Sequence, residues 1–200
     1  MNLATIVRGR RSVRRFQQRV VVPELIWQVL EAGRWAPSPH GRMPWRFVVL
    51  TRDAPKQALA AAMGAEWRRQ LAFDGQDAAT VATRARKSHE RILHAPAIII
   101  PCLYLADLDV YPDADRNAAE ATMAVQSLGC AVQNMLLTAY SLGLDTGWMC
   151  APLFCPEVVA AALDLDPALV PHALLPLGYA AANRVRRERR PIEELVVRFD

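Results

Sequence analysis

The chain has 200 residues, of which 52% are hydrophobic and 22% are charged, and its formal net charge is +4 at pH 7. This composition is that of a globular protein and excludes intrinsic disorder and fibrous repeats. We expect a single domain over residues 1–200, since domains run to about 100–200 residues. The start of the chain lacks the apolar segment of a secretion signal, which predicts a cytoplasmic protein.

The first half of the chain shows helical patterns around two short apolar runs. Apolar spacing and the boundary residues predict helices over residues 2–9, 23–36, 55–63 and 77–94. Strands are predicted over residues 45–51 and 95–104, the second a central strand because of its three consecutive isoleucines. Residues 37–44 are too rich in proline to form a regular element.

The second half is dominated by one long helical pattern. A helix is predicted over residues 116–142 and another over 156–163. Strands are predicted over residues 144–149, 173–179 and 196–199. This order of elements is neither strict alternation of strands and helices nor their segregation. It predicts an α+β fold in which helices flank a mixed β-sheet.

Residues 121–144 contain no charged side chain and are long enough to span a bilayer. Amides such as Gln126, Gln133 and Asn134 are costly at that depth in lipid, so we expect no membrane segment. The apolar residues of this helix cover more than one face, which calls for packing partners on both sides. A second copy of the chain is the favoured partner, and a central helix of a monomer is the alternative.

Basic residues are concentrated in two arginine clusters, and the rest of the chain carries a net negative charge. The first cluster lies within residues 8–19 and the second within residues 184–190. Guanidinium groups bind phosphate oxygens bidentately. Three interpretations of the clusters remain open: a small-molecule phosphate site, a nucleic-acid surface, and arginines that are merely solvated. No zinc-finger spacing or RNA-binding aromatic motif accompanies the arginines, and we expect no nucleic-acid partner.

The four cysteines form no C-x-x-C pair and lie in apolar stretches. This pattern argues against a disulfide framework and against a zinc ribbon. We therefore expect packing residues rather than redox groups, and no metal site. The cysteines are Cys102, Cys130, Cys150 and Cys155.

Four motifs in a fixed order resemble the nitroreductase family of FMN flavoproteins. They are Arg-Arg-Ser-Val-Arg at 10–14, Ala-Pro-Ser at 36–38 with Pro-Trp-Arg-Phe at 44–47, Gly-Leu-Asp-Thr-Gly-Trp at 143–148, and Leu-Gly-Tyr at 177–179. Each motif alone is weak, but their order and spacing span nearly the whole chain. The resemblance implies an intertwined homodimer with two FMN sites at the subunit interface.

The resemblance also assigns roles to individual residues. Arg10, Ser12 and Arg14 match the positions that hold the FMN phosphate and ribityl chain. Arg187 and Arg189 match a C-terminal basic pair that reaches the same phosphate. Arg11 and Val13 match positions that contribute mainly backbone contacts.

Three further parts of the site follow from the same likeness. The loop that the opposite subunit lays against the flavin matches Pro37, Ser38 and Pro39. Gly147 and Trp148 match the strand end where a backbone amide faces the flavin near N5. Met43 departs from the family, because a glutamine or asparagine commonly precedes the Pro-Trp pair. No catalytic side chain is assigned, since the flavin itself carries the hydride.

A closer likeness within the family concerns the substrate. Residues 111–114, 122–127 and 148–156 are similar to the flavin domain fused to the ligase that glutamylates the 8-hydroxy-5-deazaflavin coenzyme. This likeness implies reduction of a dehydro precursor of that coenzyme. The alternatives are NAD(P)H-dependent reduction of quinones or nitro compounds, and a non-catalytic flavin-binding or nucleic-acid-binding module.

Overall fold

The computed structural model describes residues 2–182 and 188–200, and every structural statement below concerns that part of the chain. The helices are α1 (Leu3–Gly9), α2 (Pro23–Arg34), α3 (Asp53–Phe73), α4 (Ala78–Leu93), α5 (Ala114–Ser141) and α6 (Pro156–Ala162). The strands are β1 (Trp45–Leu50), β2 (Ala97–Tyr104), β3 (Asp145–Thr146), β4 (Leu169–Pro171) and β5 (Leu175–Gly178). The α+β prediction is confirmed.

Short polar side chains begin three of the helices. At the start of α1, the side-chain oxygen of Asn2 accepts a hydrogen bond of 2.9 Å from the Thr5 amide. The carboxylates of Asp77 and Asp113 cap α4 and α5 in the same way. Helix α3 is twelve residues longer than the predicted 55–63, since it runs from residue 53 to residue 73. Its apolar residues follow no single face, and it packs along α4.

The sheet order is β1, β2, β5, β3, and β4 also pairs with β2. Every pair of these strands is antiparallel. The parallel pairing expected of a mixed sheet is limited to a bridge between Ser12 and Thr146. Among the described residues, strand β1 pairs only with β2, so its other side is a free edge of the sheet.

The outcome for the predicted strands depends on their neighbours. Strands 45–51 and 95–104 are confirmed within a residue or two, and 173–179 is trimmed to β5. The predicted strand 144–149 keeps only two residues, and β4 was not predicted. Residues 196–199 form no strand in this structure, so that prediction is wrong for the single chain. A strand requires a hydrogen-bonding neighbour, and none of the strands in residues 2–182 and 188–200 pairs with this segment.

Alternate residues of β2 point into two cores on opposite faces of the sheet. Ile98 and Ile100 pack with residues of α3, α4 and α6, whereas Ile99 packs with α2 and α5. Helix α5 buries Leu128 and Met135 within its own chain. None of the described helices is long and apolar enough to cross a membrane.

Candidate functional site

The arginine-rich segment that follows α1 lies alongside β3. Ser12 forms a parallel bridge with Thr146, and the amide of Val13 donates to the Thr146 carbonyl at 2.8 Å. Helix α1 ends at Gly9, where an added Cβ would lie 2.3 Å from the Tyr140 hydroxyl. A glycine there lets the chain pass α5 closely on its way to the sheet.

A second close approach joins two of the predicted motifs. A Cβ on Gly147 would lie 2.7 Å from the carbonyl oxygen of Val13 and 3.2 Å from the Pro176 ring. The Gly147 amide donates to the Pro176 carbonyl at 3.1 Å. Residues 12–13 and 147–148, which are far apart in sequence, are therefore brought together, with Trp148 exposed at the end of the strand.

The chain returns to the same region after β5. Phe16 pairs with Ala180, and the amide of Ala181 donates to the Arg15 carbonyl at 3.0 Å. Farther along, Arg189 lies near enough to Arg10 for its charge to act on that guanidinium. The two arginine clusters of the sequence therefore meet. Arg187 lies outside the described residues.

The meeting point gathers positive charge from both ends of the chain. Burial, followed by the charges of Arg189 and Arg11, lowers the pKa of Arg10. The Nε atom of Arg10 is buried without a hydrogen-bond partner. Within the described residues, Arg10, Arg14 and Arg189 form no ion pair. An anion bound here would relieve the repulsion and satisfy the buried donor.

Two residues of this region were missed by sequence reasoning. Arg91 of α4 lies near Arg14, and burial followed by the Arg14 charge lowers its pKa. Thr146, beside Ser12, has a buried hydroxyl oxygen without a partner. Thr146 belongs to the motif at residues 143–148, so the sequence could have indicated it as a site residue. Arg91 comes from a helix whose docking no local pattern reveals.

The loop over residues 37–43 has an unusual backbone. His40, Gly41 and Met43 have φ values of 55°, 65° and 49°, all in the left-handed region. The Met43 amide donates to the Ser38 hydroxyl at 3.0 Å and closes the loop. Arg42 forms an ion pair with Asp109 at 2.6 Å, which ties the loop to the segment that follows β2.

This loop and the arginine cluster are not connected in one chain. Among the described residues, no hydrogen bond or ion pair joins Pro37, Ser38, Pro39 or Met43 to residues 10–14. Met43 faces a groove beside β1 and α2 instead. The role assigned to this loop, contact with the flavin of the opposite subunit, stays a prediction.

The cysteines divide into two classes. Cys102 and Cys155 are buried, and burial raises the pKa of Cys102 to about 12. Cys130 and Cys150 are exposed, which corrects the expectation that all four serve packing. In residues 2–182 and 188–200, no group of three or more His, Cys, Asp or Glu side chains is arranged to hold a metal ion.

Comparison with known proteins gives a consistent result. The nitroreductase family model matches residues 7–179. A Thermus thermophilus protein named NADH dehydrogenase is 28% identical over 205 residues, covering 98% of this chain and 96% of that protein. A Methanothermobacter thermautotrophicus protein provisionally named NADH dehydrogenase/NAD(P)H nitroreductase is 26% identical, covering 94% of this chain and 82% of its own length.

A solved structure extends the similarity to three dimensions. A Desulfovibrio desulfuricans protein crystallised in complex with FMN is 30% identical to this chain, with a TM-score of 0.77. The superposition covers 100% of this chain and 98% of the other.

Proposed function

The chain belongs to the nitroreductase family, and we propose that it is an FMN-dependent oxidoreductase that passes electrons from NAD(P)H to a small-molecule acceptor. The similarity to an FMN-complexed structure and to proteins named for NADH and NAD(P)H chemistry supports this proposal. The arginine cluster at Arg10 and Arg189, with the buried, unpartnered Nε atom of Arg10, is the observation on which it depends. FMN carries a phosphate dianion of the kind that such a cluster binds.

The residues present fit FMN. Arg10 has an unpartnered buried donor and a like-charged neighbour in Arg189, a combination that favours a bound anion. Ser12 sits between Arg10 and Arg14 on the segment fixed against β3. Arg10, Ser12, Arg14 and Arg189 would hold the phosphate end, and the backbone at Gly147 and Trp148 would face the ring.

When bound, FMN supplies the hydride chemistry. This chain supplies binding and orientation. The Val13 amide donates to the Thr146 carbonyl, and Gly147 packs closely against the Val13 carbonyl oxygen. These contacts would hold the two ends of the site at a fixed separation. No side-chain acid or base is required in this arrangement.

We propose that the active form is a homodimer, as the resemblance implies. From residue 118 to residue 130, the exposed face of α5 carries no charge. Exposed apolar faces of this extent mark interaction surfaces. The loop at residues 37–39 would then complete the neighbouring site. The exposed residues of α5 between residues 118 and 130 are Ala118, Ala119, Ala121, Thr122, Val125, Gln126 and Cys130.

The acceptor has two candidates. The first is a quinone or a nitro compound, and the word nitroreductase in the name of a similar protein favours the nitro compound. The dehydro precursor of the deazaflavin coenzyme is favoured by the motifs at residues 111–114, 122–127 and 148–156. Steady-state rates with NADH or NADPH and each of the three acceptor types would separate them. A rate with the precursor that exceeds the others at equal concentration would establish the second candidate.

Flavin selectivity tests the main proposal. The apoprotein is titrated with FMN, FAD and riboflavin while flavin fluorescence is followed. We expect FMN to bind at least about tenfold more tightly than riboflavin, because a charge-assisted hydrogen bond contributes about 1.5–3 kcal/mol. Equal affinities would show that the arginines do not form a phosphate site and would overturn the proposal.

A further inference from the structure

Helix α4 carries a row of basic side chains along one flank. Arg84, Lys87 and Arg91 follow one another at separations of three and four residues, which places them on one side of the helix. Arg84 and Lys87 are exposed and Arg91 is half-buried. None of the three forms an ion pair within the described residues. This basic row therefore presents positive charge that no carboxylate offsets by direct contact.

The opposite flank of the same helix is neutralised. Arg86 forms an ion pair with Glu90 at 2.7 Å, and Glu90 is the only acidic residue of α4. Arg86 is two positions from Arg84, a separation at which helical side chains do not share a face. The one carboxylate of α4 is therefore engaged away from the basic row.

The end of α4 lies beside the proposed flavin site. Ile92 belongs to a buried core cluster, and both Val13 and Met149 pack against that cluster. These two residues adjoin Arg14 and Trp148, which the site contains. The basic row therefore begins next to the flavin site, at Arg91. At a rise of 1.5 Å per residue, its other members lie about 6 Å and about 10 Å farther along the helix axis.

The positive charge of this region divides into two centres. Apart from burial, the charges of Arg189 and Arg11 lower the pKa of Arg10, whereas burial and the charge of Arg14 lower the pKa of Arg91. The single phosphate of FMN is assigned to the first centre. The basic row extends outward from the second centre and is left for another anion.

We propose that Arg84 and Lys87 bind the phosphate groups of the dinucleotide electron donor. The inference rests on the proposed function, in which NAD(P)H supplies the electrons. A dinucleotide carries its phosphates at a distance from the nicotinamide ring that reacts, so a phosphate subsite must lie to one side of the flavin. Guanidinium and ammonium groups bind phosphate oxygens by charge-assisted hydrogen bonds, and the basic row offers both beside the site.

A comparison of two hydride donors tests this inference. NADPH carries phosphate groups, whereas N-benzyl-dihydronicotinamide has the same reactive ring and no phosphate. The kcat/KM of each donor is measured with a neutral quinone as the acceptor, for the wild type and for the double variant Arg84→Gln/Lys87→Gln. We expect the ratio of the NADPH value to the benzyl-compound value to fall at least about fivefold, because two charge-assisted contacts are lost.

The double variant Arg69→Gln/Arg86→Gln is the matched control. It also removes two exposed cations, each of them held in an ion pair outside the basic row. Its donor ratio should stay within about twofold of the wild-type ratio, since exposed ion pairs contribute little. Equal falls in the two double variants would reveal a general effect of net charge and would overturn the subsite.

Calorimetric titration of the FMN-loaded protein with NADP⁺ measures the same contacts without turnover. The Kd should rise at least about fivefold in Arg84→Gln/Lys87→Gln and stay within about twofold in the control. FMN affinity is measured on the same samples. A loss of FMN affinity as large as that of Arg10→Ala would assign the basic row to the flavin and overturn the donor subsite.

The outcomes separate this inference from the proposed function. Turnover with both donors at an unchanged ratio contradicts the subsite and leaves the proposed function standing. An unchanged ratio with a raised KM for a sulfonated naphthoquinone assigns the basic row to an anionic acceptor, which also contradicts the donor subsite. Absence of turnover with either donor contradicts the proposed function and this inference with it.

Discussion

At the scale of single residues, the arginines of the site are informative because they repel one another. Arg10 and Arg189 come from opposite ends of the chain, and within the described residues neither forms an ion pair. Folding that gathers like charges costs free energy unless a ligand of opposite charge compensates. A solvated arginine has no such requirement. We propose that the cluster is an anion-binding site, because the buried Nε atom of Arg10 has no hydrogen-bond partner.

Replacing either arginine should weaken the binding of FMN without weakening the binding of riboflavin. Arg10→Ala and Arg189→Ala are each expected to reduce FMN affinity about ten- to hundredfold, because each removes a charge-assisted bond to phosphate worth about 1.5–3 kcal/mol. Riboflavin affinity should stay unchanged. Both are measured by fluorescence titration.

Arg69→Ala is the matched control for these variants. Arg69 lies exposed on α3 in an ion pair with Glu66, outside both clusters. Its removal should leave FMN affinity within about twofold, since exposed ion pairs contribute about 0–1 kcal/mol. A loss comparable to that of Arg10→Ala would indicate a general electrostatic effect instead of a phosphate site.

His172 gives the protein a pH dependence of stability. It lies between β4 and β5, and burial lowers the pKa of its imidazole below the ordinary 6.5. In the unfolded chain it takes up a proton at higher pH than in the folded one. The free energy of unfolding should therefore fall as the pH decreases below about 6.5.

Urea denaturation at pH 7.5 and pH 5.5 measures this effect. The wild type should lose stability between the two values, and His172→Gln should lose less. A variant with the same loss as the wild type would exclude His172 as the source.

At the scale of elements, α5 has faces with different partners. Leu128 and Met135 are 3% and 0% exposed and pack within the same chain. Val125 is 44% exposed on an uncharged face. The sequence expectation that this helix needs packing on both sides is met on one side by the sheet. The other side is the proposed dimer surface.

A charge on the exposed face should separate the subunits without unfolding them. Val125→Glu is expected to convert a dimer to a monomer by burying an unpaired carboxylate in the interface. Its circular dichroism should remain that of the wild type. Sedimentation velocity measures the change in association.

Leu128→Glu serves as the contrasting variant. Here the carboxylate enters the chain's own core, so the folded state itself should be lost at a cost of several kcal/mol. If Val125→Glu remains dimeric, α5 does not form the interface. If Val125→Glu unfolds as Leu128→Glu does, the face of α5 that carries Val125 packs within the same chain and is not a dimer surface.

At the scale of the whole molecule, folding, dimerisation and cofactor binding should be linked. A ligand that binds only the assembled state stabilises it by about 2.7 kcal/mol at one hundred times its Kd. FMN should therefore raise the Tm, and the rise should grow with protein concentration. Riboflavin at equal concentration should raise it less.

Thermal denaturation with Val125→Glu supplies the control for this linkage. If its monomer gains as much Tm from FMN as the wild type does, the site is complete within one chain. The role of the neighbouring loop at residues 37–39 would then be refuted.

The sequence by itself determined the elements whose signal is local. Helices α2, α4 and α5 follow from apolar spacing, and β2 follows from its run of isoleucines. The motifs around Arg10 and Gly147 named the candidate site residues before their positions were known. Local pattern suffices here because backbone propensity and burial on one face act over a few turns.

Only the tertiary structure decided what depends on distant partners. The two-residue length of β3, the unpredicted β4 and the failed strand at 196–199 all reflect the presence or absence of a neighbour to pair with. The exposure of Cys130 and the approach of Arg91 to Arg14 are set by how helices dock. Such contacts join residues far apart in the chain, and their energies appear only when the whole fold places both partners together.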